Sequence, residues 1–147
     1  MLKIVIDTNA LIDASADFYH YANRILDEVI AGDVRAFVNP GTLRENQLLV
    51  SRKILDPGYL RKLEYFFGAV NVVRTTERIQ ASEDEEDNKI LEAAVAANAD
   101  YIITSDRHLL DLVKFRRIRI VRPSEFWNIY EDQGNSGWMK WMKNFVE

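Results

Sequence analysis

The chain has 147 residues, a formal net charge of -4 at pH 7, no cysteine and two histidines, His20 and His108. Such a length buries one substantial core and is too short for two ordinary domains. The lack of cysteine excludes disulfides and thiolate metal sites, two histidines leave little for zinc or imidazole base chemistry, and the acidic balance argues against broad capture of nucleic acid while allowing a local basic patch. Any catalysis has to rest mainly on carboxylates.

The opening MLKIVIDTN has one lysine and no extended apolar region before a small-residue cleavage site. It reads as a first strand, Lys3–Asp7, and not as an export signal, so the protein is expected in the cytoplasm without a membrane partner. No segment approaches the apolar length that spans a bilayer. A helix is expected from about Phe18 to Ile30, with Ala22, Ile25, Leu26 and Val29 on its apolar face and Gly32 at its end. VRAFVN at Val34–Asn39 is the next strand. Asn39-Pro40 then sets an N-cap before a first-turn proline, opening a helix to about Arg52, and Asp56-Pro57 repeats the device for a helix to about Phe67. AVNVVR at Ala69–Arg74 is a further strand candidate.

In ASEDEEDNKI, Ser82 and Glu85 match a capping box, after which Ile90, Leu91, Ala94, Val95 and Ala97 form an apolar face. DYIITS at Asp100–Ser105 is a strand, Asp106 caps the short RHLLDLV helix, RIRIVRP at Arg117–Pro123 is the last strand, and Ser124 caps SEFWNIY. Strands separated by helices imply a parallel α/β layout. After Tyr130, EDQGNSG reads as a turn or linker and WMKWMKNFVE as an amphipathic helix, which divides the chain into a domain at 1–130 and a tail at 131–147. The stripe of Trp138, Met139, Trp141, Met142, Phe145 and Val146 either packs back on its own domain or forms a subunit or partner interface.

Asp7 closes the first apolar run, and Asp106 follows the run that ends near Ser105. Both acids therefore lie where a parallel strand hands over to its helix, the edge at which open α/β sheets take ligands. Strand order is not readable from the chain, and each acid alone also reads as a helix cap. Glu45, on the proline-opened helix, can project toward the same edge or pair with Arg44 or Arg52 at the surface. Among the consecutive acids Glu83–Asp87, Asp87 lies one helical step before Ile90 and Leu91, at the boundary between core and cleft. Glu83, Asp84 and Glu85 face water and suit the positive end of the helix dipole.

Together Asp7, Glu45, Asp87 and Asp106 would make an all-oxygen set suited to magnesium or manganese, as one ion or two. Without metal such carboxylates repel and raise one another's pKa values. A divalent ion removes that conflict and lowers the pKa of a bound water for attack on a phosphodiester. Thr8, Asn9, Thr104 and Ser105 are candidates to hold those carboxylates or a water, or simply to cap strand ends.

VIDTNALID, EDEEDNKILEAAVAANADYIITSDRHLLDL and IRIVRPSEFW, in this order and spacing, resemble the PIN domain family. The likeness is greatest to its bacterial branch of toxins from toxin-antitoxin systems and runs from about Leu2 to Tyr130. It implies a three-layer α/β/α domain with a central, mainly parallel sheet, metal-dependent hydrolysis of RNA, and four acidic positions falling on Asp7, Glu45, Asp87 and Asp106. Asp84 takes the place of Asp87 if the acidic run is shifted. Asn9 resembles the family's polar support of the metal site, Ser105 stands where glycine is frequent, and NPGTLRENQLL around Glu45 departs from the usual pattern.

The resemblance also implies a homodimer lining a groove and a small antitoxin protein that enters the cleft. Candidate RNA contacts are Arg44, Arg52, Lys53, Arg107, Lys114, Arg116 and Arg117, which could hold phosphates without reading bases, although KFRR equally suits a solvated turn. His108 either helps at the cleft or packs the short helix. Two other functions stay open: a housekeeping or DNA-directed nuclease using the same four acids, and an inactive interaction module whose Trp/Met tail carries the function.

Overall fold

Short β-branched runs alternating with capped helices assemble into a six-stranded sheet. The computed structural model describes residues 1–15 and 20–146, the side chains of 135–146 excepted. In chain order the elements are β1 (Lys3–Ile6), α1 (Thr8–Ala14), α2 (Tyr21–Ala31), β2 (Arg35–Val38), α3 (Pro40–Lys53), α4 (Pro57–Ala69) and β3 (Asn71–Val72). There follow α5 (Glu85–Ala97), β4 (Tyr101–Ile103), α6 (Arg107–Leu110), β5 (Lys114–Phe115), β6 (Ile118–Val121) and α7 (Pro123–Val146). Strand order is β3-β2-β1-β4-β6-β5, with every neighbouring pair parallel except β5 and β6.

Alternation along the strands sends successive side chains to opposite faces. Ile4 and Ile103 enter one core cluster, with Leu11 of α1, Leu26 of α2, Leu63 of α4 and Phe126 of α7. Val5 and Ile102 enter the other, with Leu91 and Ala94 of α5 and Leu109 of α6. Both faces of the central strands are thus covered, which accounts for their unbroken apolar sequence. The outcome is a three-layer α/β/α arrangement around a mainly parallel sheet, as the sequence resemblance implies.

The proline-opened helices start as expected: Asn39 Oδ1 accepts from the Thr42 N–H at 2.7 Å, and Asp56 Oδ1 from the Gly58 N–H at 3.2 Å. Gly32 ends α2 with φ 87, a left-handed conformation that glycine adopts without a Cβ penalty.

Four local expectations change. The cap of α5 is Asp84, whose Oδ1 accepts from the Glu86 N–H at 2.9 Å, and Ser82 lies outside the helix with its Oγ accepting from the Asp84 N–H at 3.2 Å. Pro123 opens α7, so Ser124 is inside the first turn. The turn expected over EDQGNSG is helical: α7 runs unbroken through it. KFRR is not only a solvated turn, since Lys114–Phe115 pair with β6 and Arg116, at φ 55, turns the hairpin.

α1 has no counterpart in the sequence reading, because two turns with Ala10, Leu11 and Ala14 buried make too short a periodic signal. Phe18, the expected start of α2, lies outside the described residues, as do the side chains of the Trp/Met stripe. Among the described residues no helix is long and apolar enough to cross a membrane.

Candidate active site

The sheet reverses its strand order around β1, which passes first to β2 on one side and has β4 on the other. Crevices at the carboxyl ends of strands open at such points. Ile6 of β1 is in register with Ile103 of β4, so the residues that follow each strand emerge side by side. Asp7 donates its backbone N–H to Ile103 O at 2.9 Å, extending the pairing to the base of the crevice.

Thr104 joins the two strand-end acids. Its wholly buried hydroxyl donates to Asp7 Oδ2 at 2.8 Å and accepts the Asp106 N–H at 3.0 Å. Asp106 in turn caps α6, accepting the His108 N–H at 3.0 Å. Asp7 is buried, and burial pushes its carboxyl up; the Thr104 hydroxyl and the nearby N–H of Asn9 oppose this, while the charge of Asp106 adds to it.

From the next layer, α5 brings Asp87 to the same place, buried at 3 % exposure. Its carboxyl is pushed up to about 6, first by burial and then by the charges of Asp106 and Asp84, against a hydrogen bond of 3.2 Å from the Ser82 hydroxyl. Buried Asn88 fixes that serine: its amide donates to Ser82 O at 2.8 Å and accepts the Ser82 N–H at 2.9 Å.

Glu45 of α3 reaches the cleft from the third side, but it is exposed and lies 3.6 Å from Lys89 Nζ. Lys89 also bonds Glu86 at 3.1 Å. Next to Glu45, buried Asn46 accepts the Thr8 hydroxyl on its Oδ1.

These side chains enclose a cleft of about 350 Å³ whose lining includes all four expected acids, together with Asp84, Glu86, Thr8 and Asn9. The structure thus brings Asp7, Glu45, Asp87 and Asp106 to one opening. Among the described residues, no three acidic or histidine side chains converge as a ready-made metal-binding group. The acids form the walls of a shared cleft and not a closed ligand cage.

Ser105 departs from its expected position beside the carboxylates: its side chain is exposed and donates to Asp13 Oδ2 at 2.9 Å. Arg44, Arg52, Lys53, Arg107, Lys114 and Arg117 are exposed but are not among the side chains that line the cleft. Arg116 is committed to Glu77, with one arm at 3.0 Å. His108 is exposed beside the Asp106 turn and does not line the cleft. Sequence reasoning missed Ser82 as a partner of Asp87, and also Asn46 and Lys89. The two latter adjoin Glu45 in sequence and Glu86 at helical spacing, which are the signals that would have singled them out.

The PIN domain family profile matches residues 3–108, which covers β1 through the Asp106 turn. The uncharacterized protein MJ1680 of Methanocaldococcus jannaschii is 27% identical over an alignment of 148 residues that takes in 88% of this chain and 92% of that protein. No solved structure matches the chain significantly. With its matched segment spanning most of the chain and carrying all four expected acids, this chain belongs to the PIN domain family.

Proposed function

We propose that the protein is a metal-dependent endoribonuclease, a hydrolase of RNA phosphodiester bonds that serves as the toxin of a toxin-antitoxin pair. The observation that carries this reading is the joining of Asp7 and Asp106 through Thr104 beside the buried Asp87. Such a cluster is electrostatically unfavourable without a cation, and its all-oxygen donors suit Mg2+ or Mn2+, with water completing the shell. Asp7, Asp87 and Asp106 would hold the ion, with Glu45 joining them. When bound, the ion supplies neutralisation of phosphate charge and an activated water.

The chain's own groups prepare that chemistry. Thr104 keeps one oxygen of Asp7 oriented. Asp87, pushed up to about 6, is mostly ionised at neutral pH and would be available to hold a cation. Arg44, Arg52 and Lys53 along α3, with Arg107, Lys114 and Arg117 beyond β4, are the exposed cations that would hold RNA phosphates. A homodimer would double that basic surface, and a small antitoxin protein would block the cleft, both acting in the cytoplasm.

Cleavage of mixed structured RNA and DNA by wild type and Asp7→Asn, with Mg2+, Mn2+ or EDTA, tests the proposal. Metal-dependent RNA cleavage that disappears in the variant supports it. Preference for DNA points instead to a DNA-directed nuclease. A second reading, an inert interaction module, draws on the absence of a closed three-acid group among the described residues. Silence on every substrate with metal binding intact favours it.

A further inference from the structure

Lys89 stands apart from the basic residues expected to meet RNA. Among the described residues it contacts two acids of the cleft, with Nζ 3.6 Å from Glu45 and 3.1 Å from Glu86. Its side chain also lines a small recess shared with Asp7, Thr8 and Thr42, next to the buried acids. The charges acting on Asp87 come from Asp106, Asp84 and Asp7, so the buried acids repel one another while the Lys89 ammonium is spent on the two glutamates.

We infer that Lys89 is a tethered counter-ion that parks Glu45 on α5 when no metal is bound and releases it to a divalent cation. This rests on the metal-dependent reading above. A single positive charge on a flexible stem pairs with Glu45 in place.

The physical magnitudes suit an exchange. Both partners are substantially exposed, at 38% and 54%. An ion pair of that kind is weak and screened by solvent. A divalent ion brings twice the charge and approaches carboxylate oxygen far more closely than an ammonium does. Glu45 can therefore leave Lys89 at small cost, whereas a buried pair would lock it. The residue is a positioning residue for Glu45 and sets how readily the cleft loads.

Mn2+ binding, followed by loss of the free-ion paramagnetic resonance signal, tests this without any RNA. The proteins are wild type, Asp7→Asn, Lys89→Gln, Lys89→Arg, Glu45→Gln and the Lys89→Gln/Glu45→Gln double variant. Lys89→Gln is expected to bind Mn2+ about two- to five-fold tighter, the worth of an exposed ion pair. Lys89→Arg should stay near wild type, and Lys89→Gln should have no effect in the Glu45→Gln background. An equal gain in both backgrounds would show a general field effect and overturn the parking role, as would no gain in either. If wild type binds no Mn2+, or binds it no better than Asp7→Asn, the metal-dependent reading fails first and the inference falls with it.

Discussion

Thr104 Oγ1 lies 2.8 Å from Asp7 Oδ2, joining two buried residues 97 positions apart in the chain at the base of the cleft. The hydrogen bond favours the charged carboxylate, so its loss should push Asp7 higher still. Thr104→Val keeps the shape and removes the donor. It is expected to lower stability at neutral pH by about 1–3 kcal/mol, the cost of losing a buried hydrogen bond to Asp7 together with the acceptor of the Asp106 N–H. Urea denaturation reads the loss, and the pH profile of RNA cleavage should move to higher pH. An unchanged profile would mean that the bond does not tune Asp7.

Asp87 makes the metal-free protein pH-sensitive in an unusual direction. Its folded value of about 6 exceeds the ordinary 3.8, so between these limits the folded state keeps a proton that the unfolded chain has released. Stability without metal should therefore fall as pH rises through that window and stay low above it. Asp7, also raised, acts with the same sign. The Asp87 contribution between about pH 5 and about pH 7.5 should be on the order of 1 kcal/mol after solvent screening in the open cleft. Denaturation in EDTA should show this slope in wild type and a shallower one in Asp87→Asn.

Asn88 organises the approach to Asp87 through its paired bonds to Ser82, 2.9 Å to the N–H and 2.8 Å to the carbonyl. Asn88→Ala leaves both backbone groups without these partners and frees the serine that bonds Asp87. A loss of about 2–3 kcal/mol is expected. Limited proteolysis should cut around residues 80–84 earlier than in wild type, and equal cutting would refute the clamp.

α7 is anchored by Phe126, which is wholly buried and meets Tyr101 edge-on with ring centroids 5.5 Å apart. Phe126→Ala should cost about 3–5 kcal/mol through lost burial and the cavity left behind. The Asp87 slope should survive, because that acid lies on the opposite face of the sheet. Urea melts at two pH values measure both effects at once.

Much of this design is local and therefore written in the chain. β-branched runs ending at Asp7 and near Asp106 mark strand ends, Asn39-Pro40 and Asp56-Pro57 open helices, and Asp87 falls at the core-facing step of its helix. These signals act over a few residues, through periodicity and capping, and require no knowledge of neighbours. Local preference did not decide everything: α7 continues through EDQGNSG, a stretch with two glycines, from a first half held by Phe126 and by Tyr130 bonding Glu28 at 2.8 Å.

What only the tertiary structure decided is who meets whom. The adjacency of β1 and β4 turns two separate caps into one Thr104-linked pair, Asn88 and Ser82 support Asp87, and Glu45 is drawn to Lys89. Ser105, beside Asp106 in sequence, turns away to Asp13. The chain sets each side chain's chemistry and local conformation, but charge coupling falls with distance in space and not in sequence, so the behaviour of the acidic cleft emerges only when the sheet order brings its walls together.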